Sequence, residues 1–164
     1  MTTAKEFHLA LAQAAARAGL RSAPKPGSNR YGKLKKTAIG ELLDDSWIRG
    51  QAAEMGIGVR PREVARYLAF IRREAFENGA EYRRFLRESH LTRRDVEEQV
   101  EIQLFAERIQ ERIVAGIPSK AGQRKAFNEF ISEYEVRWKA RTVCAPGYVT
   151  SRCSNAPAPA PATG

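Results

Sequence analysis

The side chains to test first for chemistry are His8 and His90, Cys144 and Cys153, and the adjacent acids Asp44 and Asp45. Neither histidine has a second His, a Cys or paired carboxylates at metal-ligand spacing, so both read as surface or boundary residues and no metal site is expected. Asp44 and Asp45 suggest paired acids, but neighbours on a helix point about 100° apart and do not share a substrate. Gly56-Ile57-Gly58 lacks the preceding strand, the third glycine and the Lys-Ser/Thr pair of a phosphate loop, and reads as a helix stop. Cys144 and Cys153 flank Pro146-Gly147 and lie too far apart for a C-x-x-C redox motif. Two readings stay open for them: a disulfide closing a loop of about ten residues, worth about 2–3 kcal/mol, or two free thiols in a reducing compartment. The Pro-Gly turn favours chain reversal and hence the disulfide, which in turn implies an oxidising setting outside the cytoplasm. No catalytic residue and no cofactor is expected.

Bulk properties narrow the class. At 164 residues the chain is long enough to bury one core. Its 43% hydrophobic and 29% charged residues are ordinary for a soluble protein, and no run approaches the roughly 18 apolar residues of a membrane helix. A net charge of +9 draws polyanions and anionic lipid without naming either as a partner. Residues 1–20 do not read as a signal peptide, because Lys5, Glu6, Gln13 and Arg17 interrupt any apolar stretch; an export signal is expected to be missing or trimmed.

The pattern along the chain predicts an all-α fold of about six helices. Thr3 and Glu6 form a capping box, after which Phe7, Leu11, Ala14, Ala15 and Ala18 recur at helical spacing. Pro and Gly make residues 20–33 a linker loop, with helix resuming near Lys33. Leu34, Ala38, Leu42, Leu43 and Trp47 then form one stripe that ends at Gly56. Pro61 opens a helix with Val64, Leu68, Ile71 and Ala75 inward and its arginines largely elsewhere. Residues 81–88 predict a two-turn helix with Tyr82, Phe85 and Leu86 inward. Thr92 with Asp95 caps the longest helix, edged by Val96, Val100, Leu104, Phe105, Ile109 and Ile113. A final helix over residues 119–141 carries Phe127, Phe130, Ile131, Tyr134 and Trp138 in a stripe that needs a partner surface. The Ala/Pro tail after Asn155 adds nothing to a core and is expected to be disordered.

Within residues 43–116 the order is specific: Trp47-Ile48-x-Gly50-x-Ala52-Ala53-x-x-Gly56-Ile57-x-Val59, a helix at Glu63-Val64, a short Phe85-Leu86 segment, Thr92-x-x-Asp95, then Val100-x-x-Gln103-Leu104. It resembles the N-terminal domain of the SurA and PrsA family of extracytoplasmic foldases. The resemblance implies a helical chaperone domain over residues 1–143 with 119–141 as its closing helix, followed by a Cys-bounded loop and tail over 144–164. In that family a parvulin-type prolyl isomerase domain is commonly inserted between the module and the closing helix. Here Ile117 and Pro118 stand in its place, so the peptidyl-prolyl isomerase label would come without its site.

What the resemblance implies is an ATP-independent module that cradles unfolded or partly folded polypeptides, by leaving apolar surface open between helices rimmed by charge. Phe70, Phe76, Tyr82 and Phe105 are the candidates to line that surface, although any large aromatic at helical spacing more often completes a core. The alternative from a different class is a basic helical adaptor for nucleic acid or an anionic membrane surface, resting on the arginines of residues 60–94. Interleaved Glu63, Glu74, Glu77, Glu81 and Glu88 favour a solvated face there, and no helix-turn-helix or RNP pattern occurs, so no specific nucleic acid is expected. A third reading is an isomerase-family member that has lost its activity. Clients and oligomeric state are not legible in the residues.

Overall fold

A computed structural model describes residues 2–158, and all regular structure among them is helical. The order is α1 Ala4–Arg17, α2 Asn29–Glu54, α3 Pro61–Ala75, α4 Gly79–Glu88, α5 Arg93–Val114 and α6 Lys120–Ala140. Residues 159–164, most of the expected Ala/Pro tail, lie outside the described residues. The chain forms two compact units, Met1–Arg112 and Ile113–Gly164.

In the first unit α1 packs on α2. The capping box at its start is formed as expected: Glu6 Oε2 accepts from the Thr3 backbone N–H at 2.6 Å, and Thr3 Oγ1 from the Glu6 N–H at 3.3 Å. Phe7, Leu11, Ala14 and Ala15 from α1 and Ala38, Ile39, Trp47 and Ala52 from α2 are buried, the small alanines allowing close backbone approach. Helix α2 begins at Asn29, four residues before the expected Lys33, and its 26 residues make it longer than the 22 of α5. The reason is local. Ser28 Oγ accepts from the Tyr31 N–H at 3.2 Å, so the helix is capped directly after Pro26-Gly27 and the loop closes early.

The second seam of this unit joins α3 to α5. Val64 and Leu68 of α3 are buried with Val100 of α5, and Val59, Tyr67, Ile71, Val96 and Leu104 border them. Ala75, expected inward, is exposed because α3 ends there. Polar groups brace both edges. Arg108 donates from one guanidinium nitrogen to the Gly58 carbonyl and from the other to the Glu63 carboxylate, tying the turn before α3 to α5. Gln103 donates to the Tyr67 hydroxyl at 2.7 Å, which donates to Glu107 at 3.2 Å. At the start of α5 the Thr92–Asp95 box is present, with Asp95 Oδ2 accepting from the Thr92 N–H at 2.6 Å.

In the second unit no residue of α6 is buried. The expected stripe is half-buried instead, and part of it runs ring to ring along the helix: Phe130 and Tyr134 centroids lie 5.7 Å apart, Tyr134 and Trp138 6.4 Å, and the Arg141 guanidinium sits 5.5 Å from the Trp138 centroid. Cys144 and Cys153 form a disulfide, with Cys153 fully buried. Asn155 fastens the same loop, accepting from the Cys144 N–H at 3.1 Å and donating to the Cys144 carbonyl at 2.8 Å.

Candidate functional site

The bend between α3 and α4 assembles an aromatic corner. Phe76 leaves α3 with extended backbone, and Asn78 starts α4, its Oδ1 accepting from the N–H groups of Ala80 at 2.9 Å and Glu81 at 3.0 Å. Glu81 answers by accepting from the Glu77 N–H at 2.8 Å. Two helices thus meet over a three-residue link, and Phe76 is held against α4. Its ring centroid lies 5.2 Å from Tyr82, edge-on, and 5.3 Å from Phe85. The Arg72 guanidinium carbon stands 4.5 Å from the Tyr82 ring centroid. Tyr82 is 6% exposed, and its hydroxyl finds no hydrogen-bond partner among the described residues.

Phe85, expected inward, is 38% exposed. On a helix of ten residues Tyr82 and the half-buried Leu86 take the inward positions, and Phe76 covers only one side of the Phe85 ring. Phe70 is more open still, at 50%. It lies near Tyr67, at 6.4 Å between centroids, with the Arg73 guanidinium 5.7 Å away. Of the four residues singled out from the sequence, Phe76 and Tyr82 therefore touch, Phe70 stands on α3 outside their cluster, and Phe105 is half-buried on α5 without ring contact to them among the described residues. Phe85 completes the corner and was missed. Its signal was its position three residues after Tyr82, which places both rings on one side of α4.

Electrostatics divide this unit. A cleft of about 500 Å³ is lined by α1, α2 and the start of α5, and carries Glu6, Glu41, Asp45, Asp95 and Glu98 with Arg17 and Arg49. Arg17 pairs with Glu41 and Arg49 with Glu101, while desolvation raises the Asp45 carboxyl above its ordinary value. No group of three His, Cys, Asp or Glu among the described residues is arranged to hold a metal ion. At the α3–α5 seam the Glu63 carboxyl is lowered to about 2, first by the Arg60 backbone N–H at 2.9 Å, then by Arg108 and the Arg60 side chain. His8 is exposed beside Phe7. His90 ends α4 in the left-handed region, φ 55°, while the Leu91 N–H returns to the Leu86 carbonyl at 2.9 Å; its role there is to stop a helix.

A family model described as the SurA-like N-terminal domain matches residues 3–110. The chain belongs to that family. Comparison with curated proteins and with solved structures gives no match. The SurA-like match runs from the α1 cap through most of α5 and takes in the whole aromatic corner. SurA-like domains have in general a chaperone-like role, bind unfolded polypeptide clients and are periplasmic or extracytoplasmic. In this SurA-like chain α5 passes to α6 through residues 115–119, and no parvulin domain intervenes.

Proposed function

We propose that this SurA-like chain holds unfolded or partly folded polypeptides without ATP and without an isomerase site of its own, in an extracytoplasmic compartment. The observation that carries the reading is the aromatic corner. Phe76, Tyr82 and Phe85 form a contiguous aromatic cluster whose Phe85 ring is 38% exposed, and Phe70, apart from it on α3, is 50% exposed, so this pair of helices offers apolar rings to solvent. Phe76 and Tyr82 form the backing of that surface, and Phe105 contributes separately from α5. The disulfide supports the compartment, since such bonds persist where the medium is oxidising.

Light scattering of a denatured, charge-neutral client diluted into buffer without nucleotide tests the proposal. The full chain should suppress aggregation at equimolar ratio, and a Phe70→Ser/Phe85→Ser double variant should lose most of that effect at unchanged helicity. Equal suppression by the variant would refute the assigned surface. A proline-peptide isomerisation assay should read blank, and turnover would overturn the claim that the chain has no site of its own.

A further inference from the structure

The arginines beside the aromatic corner differ from those elsewhere in the molecule. Residues 60–94 contain ten arginines and five glutamates. Arg60, Arg73, Arg93 and Arg94 pair with Glu63, Glu74, Glu97 and Glu98. Arg62, Arg66, Arg72, Arg83, Arg84 and Arg87 have no carboxylate partner among the described residues, and all six are exposed.

The spacing sharpens the contrast. At the start of α5, Arg93 and Arg94 each have a glutamate four residues on, at 2.8 and 2.9 Å. On α3 the residue four after Arg62 is Arg66, and on α4 the residue four after Arg83 is Arg87. Like charges at that spacing destabilise a helix by about as much as opposite charges stabilise it. Each of these two helices thus carries one like-charge pair near an open phenylalanine, Arg66 lying one turn before Phe70 and Arg84 preceding Phe85, and although Glu63, Glu81 and Glu88 stand at helical spacing from Arg66 and Arg84, none forms an ion pair with them among the described residues. Exposed guanidinium groups without an internal carboxylate are solvated and open to charge-assisted bonds with carboxylates from outside.

We propose that the α3–α4 face selects client segments in which an aromatic residue is flanked by acidic ones, the ring entering beside Phe70 and Phe85 and the carboxylates meeting the unpaired arginines. This rests on the client-binding reading and names the chemistry of the client.

Fluorescence anisotropy on the full chain with three labelled peptides of equal length and equal aromatic content, acidic, neutral and basic, tests it. At about 50 mM salt the acidic peptide should bind about tenfold more tightly than the basic one, and at about 300 mM the ratio should shrink to about twofold. Arg83→Gln/Arg84→Gln/Arg87→Gln should abolish the preference while leaving the neutral peptide's affinity unchanged. Arg62→Gln/Arg66→Gln should reduce it from the other helix, and keeps the test alive should the triple variant fold poorly. Equal affinities for the three peptides, with denatured client still held, would overturn the charge selection alone. No binding of any peptide, with client not held either, would overturn it together with the reading beneath it. An RNA oligonucleotide of matched charge binding as tightly as the acidic peptide would also overturn it, marking the face as a general polyanion surface.

Discussion

On the side of α3 that meets α5, Val64 and Leu68 are sealed, Tyr67 is hydrogen-bonded and Glu63 is held by Arg108. On the side away from it, two residues beyond Leu68, Phe70 is half exposed and its charged neighbours Arg62 and Arg66 go unpaired. One fifteen-residue helix thus has a face where every group has found its partner and a face where few have. The difference separates what holds the domain together from what it offers to other molecules. Substitutions on the two faces should therefore move different measurements.

The largest effect belongs to the sealed face. Leu68→Ala removes a side chain 4% exposed and should cost about 2–5 kcal/mol in urea unfolding, because the cavity left against Val100 closes only partly. A loss well under 1 kcal/mol would mean the seam is loose and the contrast between faces false. Glu63 sharpens the same side through pH. Its carboxyl is lowered from 4.5 to about 2, so its contribution is complete above about pH 4.5 and is lost as pH falls toward 2. Glu63→Gln should leave a fold less stable at neutral pH whose stability changes less across that window, measured by thermal unfolding at stepped pH. The smallest effect on stability belongs to the open face: Phe70→Ser should stay within about 0.5 kcal/mol of the parent in the same urea experiment. A larger loss would place Phe70 in the core and remove it from the client surface.

Much of the helix layout was legible because its signals are local. The Thr3–Glu6 and Thr92–Asp95 boxes, Pro61 and the stop at Gly56 each act within one turn of chain, and the fold obeys them. Ser28 belonged to the same class of signal but was hidden behind Pro26-Gly27, which is why α2 starts early. What stayed illegible depends on distant partners. Arg108 reaches residues 45 and 50 positions away, and the burial of Gln51 and Ile102 follows from helix packing and not from their own periodic rows. At the site, residue type was readable and grouping was not. Phe76 and Tyr82 were picked as aromatics, yet their meeting depends on an extended residue between two caps, and Phe85 was assigned inward because spacing alone does not say how much cover a short helix receives.

The passage from α5 to α6 finishes each helix with its own residues. Gly116 turns the chain out of α5 at φ 76°, and Ser119 Oγ accepts from the Gly122 N–H at 3.0 Å to begin α6. Gly116 and Pro118 between them are exposed. Ile117 ties the two ends, donating to the Val114 carbonyl at 3.1 Å and accepting from the Gln123 side chain at 2.8 Å, so extra sequence inserted between Pro118 and Ser119 would forfeit the Gln123 bond and lengthen the tether while the caps on either bank stay intact.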